Sequence, residues 1–83
     1  MPRPPAAPYG GLLRAYGDPR APQLVDPPRR AVVTSDVYDG TAVTLELLVI
    51  ARARAQGLVC VRQDRPGATA WDVWVPADRV RPL

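Results

Sequence analysis

The chain has no histidine, one cysteine and no lysine, so all eleven of its basic residues are arginine. It also lacks a GxSxG nucleophile motif, a P-loop, a dinucleotide-binding glycine fingerprint and a Cys-x-x-Cys pair. The acids beyond residue 30 occur singly rather than in clusters: Asp36, Asp39, Glu46, Asp64, Asp72 and Asp78. We therefore predict a protein that is not an enzyme, has no small-molecule substrate and holds no metal or cofactor.

Long apolar segments are also missing. The longest apolar run, residues 47–51, is far too short to span a bilayer. The opening residues, MPRPPAAPYG, lack the apolar core of a signal peptide. Cys60 has no second cysteine with which to form an intramolecular disulfide. These features predict a cytoplasmic protein with no membrane partner.

Proline and charge divide the chain into two parts. Residues 1–30 contain eight of the eleven prolines and carry five arginines against two aspartates, whereas residues 31–83 carry six arginines against six acids. Because proline cannot donate to a sheet ladder, we predict a Pro/Arg-rich tail over residues 1–29, largely irregular and either flexible or ordered by a partner. Residues 30–83 should then fold without it. A domain this small buries only about 60% of its unfolded surface, which favours a protein partner or self-association.

Residues 42–54, AVTLELLVIARAR, are the one long apolar-rich segment. At a period of two, one side of this segment is wholly apolar: Val43, Leu45, Leu47, Val49, Ala51 and Ala53. A helix is the alternative, because Leu, Glu, Ala and Arg are good helix formers and Gly57 would be a suitable stop. We predict a strand, since an Asp-Gly turn such as the one that precedes the segment more often joins two strands.

Two registers are compatible with a hairpin at this turn. A three-residue loop with Gly40 in the left-handed position of a bulge pairs Val33 with Leu45. A two-residue turn pairs Asp36 with Val43 and mixes polar and apolar residues on the core side. We prefer the bulged loop.

Leu48 and Ile50 face away from the core in both registers. Exposing both would create an apolar patch, so we predict that the strand bends there and passes under a second sheet. Further strands are predicted at residues 30–37, 58–64 and 69–76, and Val80 returns to the core after a tight turn at residues 77–79. The predicted fold is mostly β, a small five-strand barrel over residues 30–83.

A second hairpin is predicted around residues 65–68, RPGA, where proline and glycine stand as a type II turn requires. Counting outward from this turn places Cys60 on the core side, Val59 opposite Trp74 and Arg62 opposite Trp71. The two tryptophans then point to opposite faces, with Trp71 toward the core. Cys60 is predicted to be a small buried hydrophobe rather than a reactive thiol.

The segment WVPADRV, residues 74–80, resembles the closing segment of SH3 domains. In that family an aromatic, a core aliphatic and a proline enter a short 3₁₀ turn, and the proline and a tyrosine of the turn line a groove for polyproline peptides. Pro76 and Trp74 match that groove, whereas Arg79 stands at the place of the tyrosine. The resemblance implies an SH3-like barrel, and similar barrels in bacteria and phages serve as DNA, RNA or protein contact modules.

Two functions fit these features. The first is an adaptor or accessory module in which an exposed aromatic face and the basic tail bind a protein partner through Trp74, Val59, Pro76, Arg79, Leu12, Leu13 and Tyr16. The alternative is nucleic-acid binding by the tail and a set of arginines: Arg52, Arg54, Arg62, Arg29 and Arg30. Protein binding is favoured because residues 31–83 are neutral, whereas a nucleic-acid-binding domain usually concentrates a basic face.

Overall fold

The computed structural model describes residues 11–83, which form one antiparallel sheet of five strands. These are β1 (Gln23–Asp36), β2 (Ala42–Ala53), β3 (Leu58–Gln63), β4 (Trp71–Pro76) and β5 (Val80–Pro82), in the spatial order β4-β3-β2-β1-β5. Short 3₁₀ turns occupy Arg54–Gln56 and Ala77–Arg79. None of the helical segments in this part of the chain is long and apolar enough to cross a membrane. The predicted mostly-β fold with five strands is confirmed, and residues 42–53 form a strand rather than a helix.

The β1–β2 hairpin has the predicted bulged register. Val33 faces Leu45 across the two strands. The Val37 amide donates to the Thr41 carbonyl at 2.9 Å, and the Gly40 amide donates to the Val37 carbonyl at 2.9 Å. Gly40 has a φ of +95°, a conformation that strains any residue with a side chain. The two-residue turn is therefore excluded.

β2 contains a bulge at the place where the sequence predicts a bend. Its register with β3 shifts between Val49 and Ala51, which makes Ile50 the extra residue. A bulge bends the strand and reverses which face the following side chains occupy. Beyond the bulge, Arg52 pairs with Val59, although strict alternation predicts Arg52 on the outer face.

The sheet is not closed into the barrel that we predicted. β4 and β5 are its two edges, and no pairing joins them. β5 instead pairs with β1, where Val33 faces Val80 and Ala31 faces Pro82. The five predicted strands are thus present as an open, bulged sheet.

The predicted register of the β3–β4 hairpin is wrong by one residue. The observed pairs are Val59 with Val75, Cys60 with Trp74, Val61 with Val73, Arg62 with Asp72 and Gln63 with Trp71. The turn itself is present, because the Ala68 amide donates to the Arg65 carbonyl at 3.0 Å and Gly67 has a φ of +73°. β4 begins at Trp71 rather than at Thr69, so one residue separates the turn from β3 and two residues separate it from β4. Counting equal numbers of residues outward from the turn therefore gives the wrong pairs. As a result, Val59 rather than Cys60 faces the core.

The core combines residues of the first four strands and the β1–β2 hairpin with one residue from the N-terminal part of the chain: Leu13, Ala31, Val33, Val37, Val49, Val59, Val61, Val73 and Val75. Leu13 is fully buried and Leu12 nearly so. β1 also begins at Gln23, earlier than the predicted Arg30. Leu12, Leu13 and residues 23–29 of the predicted tail are therefore part of the core or of the sheet. Residues 1–10 of that tail lie outside the described residues.

Residues 12–16, the bridging segment, connect the β1–β2 hairpin to the edge strand β4. At one end, the Tyr38 amide donates to the Leu12 carbonyl at 3.0 Å and the Arg14 amide to the Asp36 carbonyl at 2.9 Å. At the other end, the Tyr16 amide donates to the carbonyl of Trp74 at 2.9 Å. The bridging segment thus covers the side of the core that the open sheet leaves uncovered.

We expect Leu13→Ala to lower the free energy of unfolding by about 2 to 5 kcal/mol, because it removes a fully buried side chain and leaves a cavity. Leu24→Ala is the control, since Leu24 is 78% exposed and its loss should change stability by less than about 0.5 kcal/mol. Urea unfolding of the full chain measures both. Equal effects of the two substitutions would show that the bridging segment is not part of the cooperative unit.

Candidate functional site

The residues predicted to bind a protein do not form one exposed aromatic face. Leu12, Leu13 and Val59 are buried, Trp74 and Pro76 are half-buried, and Tyr16 and Arg79 are exposed. Val59 lies in the core because of the one-residue offset between β3 and β4. Leu12 and Leu13 lie against the chain's own sheet.

Tyr16 and Arg79 meet at Asp36, where the bridging segment contacts the sheet. The Tyr16 hydroxyl donates to Asp36 Oδ1, and Arg79 Nη1 lies 3.5 Å from the same oxygen. Arg14 Nη1 is 3.8 Å from Asp36 Oδ2. The Arg79 guanidinium also lies over the Tyr16 ring, 5.7 Å from its centroid. The Tyr16 hydrogen bond, with smaller contributions from the two arginines, holds the pKa of Asp36 below its ordinary value.

The face that carries Trp74 is covered in part by the N-terminal region. Gly17 follows the bridging segment, and a Cβ atom at Gly17 would lie 2.9 Å from Leu58 Cδ1, so the backbone passes close over β3. Cys60 pairs with Trp74 on this face and is buried, as predicted. Burial raises the pKa of the Cys60 thiol to about 11, and the thiol therefore stays protonated and unreactive at neutral pH.

Trp71 and Gln63, which sequence reasoning did not single out as site residues, hold the bridging segment in place. Trp71 Nε1 donates to the Leu13 carbonyl at 2.8 Å. The Trp71 and Tyr38 rings pack edge to face, with 6.3 Å between their centroids. Gln63 Oε1 accepts from the Leu13 amide at 2.9 Å, and Gln63 Nε2 donates to the Gly11 carbonyl at 2.9 Å. No local pattern indicates these contacts, because the partners are far apart in the sequence.

Two of the arginines predicted to bind nucleic acid are already paired with carboxylates. Arg62 makes a two-point contact with Asp72, with Nε 2.8 Å from Oδ1 and Nη2 3.0 Å from Oδ2. This hydrogen bond raises the pKa of Arg62. Arg30 Nη1 lies 3.0 Å from Glu46 Oε2. An incoming phosphate would have to compete with these carboxylates.

Arg29 and Arg52 differ from the paired arginines, because they lie on the core face at an open end of the sheet. Arg29 faces Val49 across β1 and β2, and Arg52 faces Val59 across β2 and β3. Residues directly opposite each other in a sheet point to the same face, and Val49 and Val59 both belong to the core. Neither arginine takes part in any of the ion pairs formed within residues 11–83.

Arg29 and Arg52 line a pocket of about 350 Å³, here named the arginine-rimmed pocket. Most of its other lining residues are apolar: Ala31, Val49, Val59, Ala77, Val80, Pro82 and Leu83. Arg30 also borders it. Because four of these apolar residues belong to the core or pack against it, the pocket is a place where the core opens to the surface.

A second depression of about 380 Å³ adjoins the first, since Arg52 lines both. Arg20 and Arg54 line it as well, and neither takes part in an ion pair within the described residues. Arg20 was not predicted as a site residue. The only sequence signal for it was the excess of arginine in residues 1–30.

The chain matches no protein-family model, no curated protein and no solved structure. The 3₁₀ turn Ala77–Arg79 and the inward-packing Val80 do occur where the SH3 resemblance places them. Membership of that family stays a prediction. Within residues 11–83, no three Cys, Asp or Glu side chains are close enough to hold a metal ion together.

The lowered pKa of Asp36 predicts an acid-sensitive contribution to stability. A carboxylate with a depressed folded-state pKa stabilises the fold above its ordinary pKa of 3.8 and loses this effect as the pH falls through the folded value. Between about pH 6 and pH 2, Asp36→Asn should therefore lose less stability than the wild type. Asp78→Asn, which removes an exposed carboxylate outside these contacts, is the control. Parallel pH profiles for wild type and Asp36→Asn would contradict the assignment.

The two tryptophans should differ in their contribution to stability. Trp71→Ala removes core packing and the hydrogen bond to Leu13, at a cost of about 3 kcal/mol, while Trp74→Ala on the outer face should cost less. Trp71→Phe keeps most of the apolar area and loses the indole donor, so we expect about 1 kcal/mol. Denaturant unfolding of the three variants tests this order. A larger loss for Trp74→Ala than for Trp71→Ala would assign the central packing role to Trp74.

Proposed function

We propose that the protein is a cytoplasmic, non-enzymatic protein-interaction module of SH3-like character, with the arginine-rimmed pocket as its contact site. The observation that carries this proposal is the opening of the core at the end of the sheet, where Val49 and Val59 form an apolar floor beneath Arg29 and Arg52. Pockets of about 300 to 1,000 Å³ with apolar walls and a few polar groups are typical ligand sites. A partner's side chain can fill this volume, and its polar groups can meet the arginines.

The pocket fits the proposed function better than the face around Trp74 does. Tyr16 and Gly17 already run along that face, and Arg79 is paired with Asp36. A polyproline ligand is therefore not part of the proposal. Within residues 11–83, in contrast, the arginine-rimmed pocket is lined only by β1, β2, β3 and β5 with Ala77 and Leu83, and no further segment lies over it.

Nucleic-acid binding is the second candidate, and the gathering of Arg20, Arg29, Arg52 and Arg54 around two adjoining depressions supports it. Arginines without a carboxylate partner are suited to phosphate contacts. Single-stranded nucleic acid, however, is usually held by stacking on aromatic side chains, and among residues 11–83 no aromatic side chain lines either depression. Protein binding is therefore the better supported function.

Blocking the pocket should abolish partner capture without unfolding the protein. Ala77 is exposed and lines the pocket, so Ala77→Trp places a bulky side chain at its mouth. Ala68→Trp is the matched control, because Ala68 is equally exposed but lies in the β3–β4 turn. Affinity capture from the native cytoplasm, with nuclease present, should retain a protein on wild type and Ala68→Trp and lose it on Ala77→Trp. Capture that nuclease abolishes would favour the nucleic-acid function.

A further inference from the structure

We infer that the partner presents an acidic peptide segment, which inserts one aliphatic side chain into the arginine-rimmed pocket and pairs its carboxylates with Arg29 and Arg52. This inference rests on the proposed protein-binding function and specifies the chemistry of the partner. It depends on the face of the sheet that carries the two arginines, on the absence of a carboxylate partner for either of them within residues 11–83 and on the apolar residues that line the same pocket.

The bulge in β2 determines the position of Arg52. If β2 alternated regularly through Ile50 instead of forming the bulge, Arg52 would project from the outer face, where Arg30 pairs with Glu46 and Arg62 with Asp72. With it, Arg52 lies beside Val59 on the core face. Bulges commonly re-aim a side chain near a functional site. Here the bulge moves a positive charge away from the carboxylates of the outer face.

The side chains that line the pocket carry excess positive charge. Of the ten lining residues that the structure describes, three are arginines and none has an acidic side chain, and among these arginines Arg30 alone forms an ion pair within residues 11–83. Arg52 is half-buried, and it forms no ion pair with a carboxylate side chain within residues 11–83. A guanidinium in this situation gains most from a carboxylate, which it can bind through two parallel hydrogen bonds.

The apolar floor specifies the other half of the ligand. Above the buried Val49 and Val59, the half-buried Val80 and the exposed Pro82 and Leu83 offer apolar surface and no hydrogen-bonding side chain. Phosphate or a carboxylate alone would leave this surface in contact with water, whereas an aliphatic side chain next to an acid satisfies both parts. A peptide with Leu, Ile or Val close to Asp or Glu matches the pocket in shape and in charge.

Selection from a phage library of random twelve-residue peptides tests the inference directly. The full chain is the target, and Ala77→Trp is used in parallel to subtract peptides that bind elsewhere. We expect the peptides enriched on wild type to combine an aliphatic residue with Asp or Glu within two or three positions. A synthetic copy of the strongest peptide should bind the full chain in a fluorescence anisotropy titration.

Arginine substitutions then assign the charge contacts. Arg52→Gln should lower the affinity for the synthetic peptide about tenfold, the loss expected for a hydrogen bond to a charged group. Arg29→Gln should also lower this affinity. Arg65→Gln is the matched control, because Arg65 lies in the β3–β4 turn and lines neither depression, and it should change affinity less than twofold. Replacing the peptide's acids by amides should weaken binding to wild type but not further weaken binding to the Arg29→Gln/Arg52→Gln double variant. Leu83→Glu, at an exposed position on the pocket wall, offers a competing carboxylate and should also weaken the peptide.

Each contrary result in these experiments would contradict a different part of the inference. Enriched peptides without acids that still lose binding to Ala77→Trp would overturn the acidic partner and leave the protein-binding function standing. No enrichment on wild type over Ala77→Trp would overturn both. A single-stranded oligonucleotide that displaces the peptide, with an affinity that falls steeply as salt rises, would assign the site to nucleic acid. A dimer in light scattering that Ala77→Trp dissociates and Ala68→Trp does not would assign the pocket to a second copy of the chain.

Discussion

The fold depends on Leu13, a residue that belongs to no strand. An open sheet of five strands leaves one side of its core uncovered, and the bridging segment covers that side. Leu13 is held at three points: its amide donates to Gln63, its carbonyl accepts from Trp71, and its side chain is fully buried. Hydrogen bonds of this kind satisfy backbone groups that burial would otherwise leave unpaired. The N-terminal region therefore takes the place of the pairing that would close a barrel.

The same arrangement explains why the Trp74 face is a weak candidate for partner binding. A chain that uses Tyr16 and Gly17 to cover part of this face has less of it to offer to another protein. The opposite end of the sheet has no such covering segment within residues 11–83. There the buried Val49 and Val59 line a pocket together with Arg29 and Arg52. The N-terminal region thus covers one part of this small fold, and the proposed binding pocket lies in another part.

The arginines are likewise divided between paired positions on the outer face and at the hairpin and positions around the pocket. On the outer face, Arg30 and Arg62 are each matched with a carboxylate across neighbouring strands, and at the hairpin Asp36 gathers Arg14 and Arg79. Exposed pairs of this kind contribute little to stability, typically less than about 1 kcal/mol each. Their effect here is to leave the arginines around the pocket as the local source of positive charge. A chain that is neutral beyond residue 30 can therefore still present a basic site.

The sequence by itself determined the class of fold and one of the two hairpins, because both depend on local chemistry. Alternation over residues 42–53 favoured a strand over a helix, and the bulged register was preferred because it keeps polar residues off the core side. The β3–β4 register could not be predicted from the sequence. Thr69 and Ala70 lie between the turn and β4 and shift every pair by one, and no sequence pattern shows that these two residues lie outside the strand.

Tertiary structure alone decided where the functional side chains point. The bulge at Ile50 reverses the alternation that the sequence pattern implies, and it thereby brings Arg52 to the core face. The burial of Leu13 depends on Gln63 and Trp71, which lie some fifty residues away in the chain. Local propensity and periodicity carry information about neighbours in sequence, whereas a bulge and a long-range contact are selected by the packing of the whole sheet.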